Sequence, residues 1–258
     1  MAKLLIALMS CQKNRRPQQR AALETWVRDI PADVDYCVME GGHRGPARRS
    51  GHNVQLPCDD RYEALAVKMH EFLNFAVREL QFDFIFKCDD DTYVCLPRLV
   101  SAGFEKYDYV GGAPSGNAWE KAPYAQGGAY FISRKAAQFI AQTDLQTCAG
   151  KRWWWSGGVR MISREGLKIN GSATVEDMMV GDILREQGII LKIDPRFNAF
   201  ACPTPYEHQD LITCHSVSAR QMYFIHAARK MGPAAGFFLR ICRFLKLWPP
   251  GLQPGQLK

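Results

Sequence analysis

Apolar residues along the chain predict an alternation of short strands and amphipathic helices. Runs rich in β-branched and aromatic residues are typical of buried strands, and they occupy residues 4–9, 34–39, 82–86, 107–112, 128–132 and 189–193. Helices are predicted over 17–27, over 62–80, from Pro97, after an N-cap at Ser133, and over 177–187 up to Gly188. Residues 41–51 are predicted to form a loop, and 151–172 to be irregular. This alternation predicts an α/β fold with a mostly parallel central sheet that helices cover on both faces.

The size of the chain favours one main domain. Its 258 residues, of which 47% are hydrophobic, are enough to bury one substantial core. We place the folded domain at 1–228 and a basic amphipathic tail at 229–258. No stretch is apolar enough to predict a membrane span, and the first residues lack the apolar core of a signal peptide.

Charge and cysteine content indicate which ligands and surfaces the protein suits and in which redox state its cysteines are expected. Lys and Arg number 33 against 26 Asp and Glu, and the resulting charge of +7 suits an anionic ligand or surface without specifying either. Between 236 and 248 the tail mixes Phe, Leu, Ile and Trp with Arg and Lys, a pattern that predicts peripheral contact with an anionic bilayer. The nine cysteines show no CxxC spacing and are interpreted mainly as reduced core residues, with disulfides as the alternative.

Three consecutive carboxylates form the most informative motif. Asp89, Asp90 and Asp91 follow the predicted strand at 82–86. Adjacent carboxylates repel one another unless a cation is close, and Mg²⁺ and Mn²⁺ prefer oxygen ligands that they share with substrate phosphates. A solvated acidic turn is the alternative. The carboxyl end of a strand, where open α/β sheets bind ligands, favours the functional interpretation.

Six segments, in this order along the chain, carry a family resemblance. They are Arg20-x5-Trp26, Asp60-Arg-Tyr62-Glu-Ala-Leu-Ala-Val-Lys68, Lys87-Cys-Asp89-Asp90-Asp91, Tyr124-Ala-Gln-Gly127-Gly128-Ala-Tyr130-Phe-Ile-Ser133, Val175-Glu176-Asp177 with Gly181, and Asp194-Pro-Arg196-Phe197 followed by His215. Together they resemble the β-1,3-glycosyltransferases of the galactosyltransferase/Fringe-like group, glycosyltransferase family 31. The resemblance implies a GT-A nucleotide-diphospho-sugar transferase fold, a UDP-sugar donor and inversion at the sugar carbon.

The same resemblance implies roles for the acidic triplet and a late histidine. Asp91 is the first choice as a ligand of Mn²⁺ or Mg²⁺. Asp89 is a second ligand, and Asp89 or Asp90 is expected to hold the ribose or a metal-bound water. His215 is expected to complete the coordination. The alternative for His215 is an ordinary histidine whose hydrogen bonds are satisfied within the fold.

An inverting transfer needs a base that takes the proton of the acceptor hydroxyl. The family pattern supplies Asp177 for this role, with Glu176 either as the base itself or as a group that orients it. A structural alternative is that 174–177 form a capping box at the start of the next helix.

Further residues of the family segments are expected to bind the donor. Lys68 is a candidate for phosphate contact, although a helical lysine can simply face water. Asp60 and Arg20 belong to the same predicted donor site, with solvation as the alternative for Arg20. Gly127 and Gly128 are expected to let the backbone approach the donor sugar, or else to serve a turn that needs glycine.

Acceptor and compartment follow from weaker signals. Trp153, Trp154 and Trp155 are expected to form an aromatic platform for an acceptor sugar or to insert at a membrane interface. Relatives usually carry an N-terminal anchor, which this sequence does not show, and Ala64-Leu65-Ala66 replaces their Asn-Leu-Thr. We therefore expect a cytoplasmic, membrane-peripheral enzyme, or a Golgi-lumen enzyme if the chain is an anchor-less fragment or form.

The expected function is a metal-dependent inverting hexosyltransferase. It would move galactose or N-acetylglucosamine from a UDP-sugar to a glycan, glycolipid or glycoprotein acceptor in a β-1,3 linkage, with no nucleic-acid partner. A catalytically inactive nucleotide- or glycan-binding protein on the same fold is the alternative. An aspartyl phosphohydrolase is disfavoured because the spacing Asp-x-Asp-x-Thr fails, with Tyr93 at the threonine position.

Overall fold

The structure, a computed structural model, describes residues 2–113, 123–145, 175–198 and 210–231, together with the backbone of the short strands at 154–155, 161–162, 168–169 and 173–174. The strands in chain order are β1 Leu4–Met9, β2 Asp35–Glu40, β3 Arg48–Ser50, β4 Asn53–Gln55, β5 Phe84–Asp89, β6 Tyr93–Val94, β7 Tyr109–Gly111, β8 Ala129–Ser133, β9 Trp154–Trp155, β10 Met161–Ile162, β11 Lys168–Ile169, β12 Ala173–Thr174, β13 Lys192–Ile193, β14 Phe197–Asn198 and β15 Thr213–Cys214. The α-helices are α1 Arg20–Glu24, α2 Leu65–Glu79, α3 Leu96–Val100, α4 Arg134–Gln142, α5 Glu176–Glu186 and α6 Ala219–Lys230.

The central sheet has eight strands in the spatial order β13-β7-β8-β5-β1-β2-β4-β3. Its middle, β5-β1-β2-β4, is parallel. Strand β8 runs antiparallel to both β5 and β7. Because of this reversal, the start of β8 meets the end of β5, where Ala129 pairs with Cys88. The sheet therefore brings residues 127–128 to the acidic triplet.

Two apolar cores lie on opposite faces of the sheet, as the alternating pattern predicted. Leu5, Ala7 and Met9 of β1 belong to the core that α2, α4 and α5 cover. Ile6 and Leu8 point into the second core, which includes residues of α1, α3 and α6. Successive strand residues face opposite sides of a sheet, so an unbroken apolar β1 indicates a strand with both faces buried.

A smaller sheet joins the late part of the chain to the triplet. Its order is β14-β15-β6, and Cys214 of β15 pairs antiparallel with Tyr93 of β6. Since β6 begins two residues after Asp91, this pairing sets His215 beside the triplet.

Four local predictions need correction. The stretch 151–172, predicted to be irregular, contains the short strands β9, β10 and β11. The predicted loop 41–51 contains β3, which pairs antiparallel with β4. The turn between the two strands passes through Gly51 at φ +59°. An ion pair of Arg49 with Asp35, at 2.7 Å, holds β3 in place. The helix predicted over 17–27 is not continuous. A 3₁₀ turn at Gln12–Asn14 and a π turn at Arg15–Gln19 precede the short helix α1. Helix α1 ends next to Thr25, whose hydroxyl donates to the Ala21 carbonyl at 2.6 Å. The strand predicted over 189–193 is only β13, at Lys192–Ile193.

Helix termini agree better with the sequence. The Ser133 hydroxyl accepts from the Ala136 amide at the start of α4, and Gly188, at φ +73°, follows α5. Helix α6 begins with a capping box of Ser218 and Gln221 and runs to Lys230, so the proposed boundary at 228 falls inside this helix. The tail from 232 onward lies outside the described residues. Within the described part of the chain, none of the helices has the length and apolar character needed to cross a membrane.

Candidate active site

Asp89, Asp91 and His215 form a compact set of candidate metal ligands. One ligand atom from each lies within 4.8 Å of the others, and the Nδ1 atom of His215 is 3.2 Å from Oδ1 of Asp91. Their side chains are partly exposed, at 27%, 33% and 20% respectively. Carboxylate oxygens with one imidazole nitrogen suit Mn²⁺, and carboxylates suit Mg²⁺. The residues present therefore fit the predicted divalent ion, and the partial exposure leaves room for a substrate.

Gly128 makes this arrangement possible. A Cβ atom on residue 128 would lie only 2.4 Å from Cγ of His215, so no other residue fits without moving the imidazole. The carbonyl of Gly128 accepts from the Thr92 hydroxyl at 2.8 Å, and that hydroxyl is 3.1 Å from Nδ1 of His215. Burial lowers the pKa of His215, but its hydrogen bond and charge interaction with Asp91 outweigh burial and raise the pKa overall.

Asp90 differs from its two neighbours. It is buried, and its carboxylate accepts from the Ser10 hydroxyl at 2.6 Å and from the Asn14 side-chain amide at 3.3 Å. Burial, together with the charges of Asp91 and Asp89, raises the pKa of Asp90 to about 7 despite these hydrogen bonds. Asp90 thus joins the end of β1 to the triplet, whereas Asp89 and Asp91 face His215.

Lys87 is a central residue of the site that the sequence reasoning missed. Its side chain is 1% exposed, and its ammonium contacts the Gly127 carbonyl at 2.6 Å, Asp89 at 2.7 Å and Glu176 at 3.2 Å. These three acceptors match the three N–H donors of a lysine. A lysine inside an otherwise apolar strand was the available signal, because a buried ammonium requires acidic partners.

The Glu176–Asp177 pair begins α5, and its two members have different surroundings. Glu176 is buried, with Lys87 on one carboxylate oxygen and the Tyr130 hydroxyl on the other. Burial raises the pKa of Glu176 to about 7, even though Lys87 acts to lower it. Asp177 is half-buried, and its carboxylate accepts from the Met178 amide at 2.8 Å.

The capping alternative for this pair does not match the helix start. The N-cap residue of α5 is Val175, and no side-chain hydrogen bond caps the helix. Asp177 instead lies against Gly127, where a Cβ atom would be 3.3 Å from Oδ2 of Asp177. Burial raises the pKa of Asp177. Of the two carboxylates, Asp177 is the one with an oxygen not committed to Lys87 or Tyr130.

Asp60 and Lys68 organise the loops at the carboxyl edge of the sheet. Asp60 accepts from the backbone amides of Gln12 and Gly41, each at 2.7 Å, and from Lys68 at 2.8 Å. Lys68 is 1% exposed and also donates to the Ser10 carbonyl at 2.9 Å. These contacts connect the segments after β1 and β2 and give both residues a structural role. Their contact with the donor stays a prediction.

Other predicted residues lie apart from this cluster of contacts or outside the described chain. Arg20 is exposed and pairs with Glu24 at 2.6 Å, so its contact with the donor stays a prediction. Trp153 lies outside the described residues. The backbone of Trp154 and Trp155 forms β9, which pairs antiparallel with β12, the strand just before α5. Their role toward an acceptor also stays a prediction.

The sheet order and the acidic site at its carboxyl edge define the class of fold: the GT-A type that the sequence predicted. A crystal structure of a glycosyltransferase involved in the glycosylation of the major capsid of PBCV-1 superposes with a TM-score of 0.50 at 14% identity, covering 86% of this chain and 98% of that one. At this identity the likeness shows the fold, which is the predicted one.

Sequence comparisons agree with the motif-based recognition. The galactosyltransferase family model matches residues 45–108. Mouse beta-1,3-galactosyltransferase 6 is 25% identical over 260 aligned positions, which cover 86% of this chain and 72% of that protein. Hydroxyproline O-galactosyltransferase GALT2 of Arabidopsis thaliana is 31% identical over 114 positions, 36% of this chain and only 17% of the plant protein. The chain is therefore similar to galactosyltransferases of the family 31 type.

Proposed function

We propose that this protein transfers galactose or N-acetylglucosamine from a UDP-sugar to a glycan hydroxyl, with inversion and formation of a β-1,3 linkage. One observation carries the proposal: Lys87 joins the Asp89 side of the site, with its candidate metal ligands, to the Glu176–Asp177 side, with its candidate base. The candidate metal ligands and the candidate base therefore flank one buried ammonium, which supports the proposal.

Asp89, Asp91 and His215 would hold Mn²⁺ or Mg²⁺. When bound, the ion stabilises the negative charge that builds up on the departing diphosphate. Asp90 supports this side by fixing the triplet to Ser10, and Gly128 leaves space for the imidazole.

Asp177 is proposed as the base. In a single displacement, the bond between the sugar carbon and the diphosphate oxygen breaks while the acceptor oxygen bonds to that carbon, and Asp177 takes the hydroxyl proton. Burial raises the pKa of Asp177, which strengthens it as a proton acceptor at neutral pH. Glu176 is disfavoured because Lys87 and Tyr130 already occupy its two oxygens.

Release of UDP from a panel of UDP-sugars, with and without Mn²⁺, tests the proposal without knowledge of the acceptor. Metal-dependent release that prefers UDP-galactose or UDP-N-acetylglucosamine is expected. The acceptor, whether glycan, glycolipid or glycoprotein, would then be identified by adding candidates to the same assay. UDP binding without turnover of any donor and acceptor would instead indicate the inactive binding protein.

A further inference from the structure

A cavity of about 960 Å³ lies outside the candidate active site. Its walls come from the segment after α1, from β6 and α3, and from the C-terminal end of α6. Neither the candidate metal ligands nor the Glu176–Asp177 pair lines it. Its volume is at the upper end of the range of small-molecule sites, roughly 300–1,000 Å³.

One part of the lining is apolar. Trp26, Tyr93 and Leu96 are buried there, and Pro97 lies beside them. Val100, at the end of α3, is 46% exposed although it is apolar. An apolar wall with an exposed valine at its edge suits a hydrocarbon chain, since contact would remove this surface from water.

The other part of the lining is cationic. Arg98, Arg229 and Lys230 line the cavity, together with a single carboxylate, Asp29. Lys230 pairs with Asp29 at 2.7 Å. Arg98 donates to the Leu211 carbonyl at 2.9 Å, and no ion pair joins either arginine to a carboxylate within the described residues.

Two lining residues carry buried donors that lack partners. The guanidinium of Arg229 lies over the Tyr93 ring, 5.3 Å from its centroid, and its Nε atom is buried without a hydrogen-bond partner among the described residues. The same holds for Nε1 of Trp26. Buried donors are normally satisfied, so these two side chains retain unused hydrogen-bonding capacity in the wall of the cavity.

We propose that this cavity binds an anionic amphiphile, a phosphate headgroup on a hydrocarbon chain. The phosphate would meet Arg229 and Arg98, and the chain would lie along Leu96, Pro97 and Val100. A neutral sugar would leave the arginine charges uncompensated, and inorganic phosphate alone would leave the apolar wall in water. The proposal does not depend on transferase activity.

The tail of this chain is a poorer occupant. Residues 232–258 contain Arg240, Arg243, Lys246 and Lys258 but no aspartate or glutamate, so the cationic cavity would repel them. The same composition favours an anionic lipid surface as a common partner for the tail and the cavity.

Calorimetric titration of the full chain, without UDP, tests the proposal with three probes: monomeric dihexanoyl phosphatidic acid, dihexanoyl phosphatidylcholine and inorganic phosphate. We expect the phosphatidic acid to bind tightest. Val100→Trp fills the cavity from an exposed position and should weaken binding at least about tenfold. The matched control is Ile190→Trp, which is 66% exposed, does not line the cavity and should leave binding unchanged.

A second pair of variants tests the charge. Arg229→Met keeps an aliphatic stem over Tyr93 and should cost about tenfold in affinity or more, because charge-assisted hydrogen bonds are lost. Arg78→Met, at an exposed arginine outside the cavity, is its control. The proposal is overturned if phosphatidic acid does not bind, if either other probe binds as tightly, or if Val100→Trp folds normally and binds like wild type. If replacing Phe237 and Phe238 with Ser raised the affinity for phosphatidic acid tenfold, the tail would be identified as the occupant of the cavity, and the proposal would be overturned.

Discussion

Replacement of Lys87 by Met is the sharpest test of how the site is held together. The substitution keeps the length of the side chain but removes a buried ammonium that contacts Asp89 at 2.7 Å, Glu176 at 3.2 Å and the Gly127 carbonyl at 2.6 Å. Removing one partner of a buried ion pair leaves a charge uncompensated, which typically costs about 3–5 kcal/mol. For a domain of this size 1 kcal/mol corresponds to roughly 2–4 °C in Tm, so we expect Tm to fall by about 6–20 °C.

The origin of that loss can be checked with a double-mutant cycle. If the uncompensated Glu176 carboxylate is responsible, adding Glu176→Gln to Lys87→Met should recover at least about 1 kcal/mol of the free energy of unfolding. Lys135→Met is the control, because Lys135 is 63% exposed and its ion pair with Asp108 lies at the surface, where such pairs contribute only about 0–1 kcal/mol. Urea unfolding of wild type, Lys87→Met, Glu176→Gln, the double variant and Lys135→Met measures the free energy of unfolding of all five proteins. The reasoning fails if Lys87→Met is no less stable than Lys135→Met, or if Glu176→Gln adds a further loss.

Five single substitutions test individual contacts. Asp91→Ala should weaken Mn²⁺ binding by at least about 100-fold in a titration, whereas Asp90→Asn, at a carboxylate turned toward Ser10, should keep the metal dependence. Asp177→Asn should lower kcat by about 10²–10⁴ while UDP binding persists. Gly128→Ala should cost about 1–3 kcal/mol in unfolding free energy, because its Cβ atom would displace the imidazole that lies 2.4 Å away. The unfolding free energy should fall less steeply with rising pH in Glu176→Gln than in wild type, between about pH 5 and 7.

The sign of that pH effect follows from the pKa of Glu176. Burial raises it to about 7 in the folded protein from an ordinary value of 4.5. Between these values the folded state binds more protons than the unfolded state, so stability falls as pH rises. Urea unfolding of wild type and Glu176→Gln at several pH values measures the difference, and identical slopes would contradict the assignment.

Each remaining prediction has a result that would contradict it. Mn²⁺ dependence lost in Asp90→Asn but kept in Asp91→Ala would reverse the division of roles within the triplet. Full transfer by Asp177→Asn would exclude it as the base. A Gly128→Ala protein with wild-type stability would show that the imidazole can move at no cost. Gly127→Ala, whose Cβ atom would meet Asp177 at 3.3 Å, should be the milder of the two glycine substitutions.

The sequence by itself determined the local parts of the protein. Strands β1 and β5 and helix α2 could be predicted because burial of one or both faces leaves a period of two, an unbroken apolar run or a period of 3.6 in the residues themselves. The acidic triplet was also readable, since its three carboxylates are adjacent and lie at the end of a strand. The family segments, kept in order, led to the GT-A fold that the comparison confirms.

Only the tertiary structure decided which of these groups meet. Lys87 and Glu176 are 89 positions apart, and Thr92 and His215 are 123 apart, so no local pattern records either contact. Asp89, Asp90 and Asp91 are chemically identical in the sequence. They differ in the fold because the turn after β5 directs Asp90 toward Ser10 and its neighbours toward His215. Such roles depend on strand order and on which side chain packs against a glycine, which are properties of the packed chain and leave no periodic trace in the sequence.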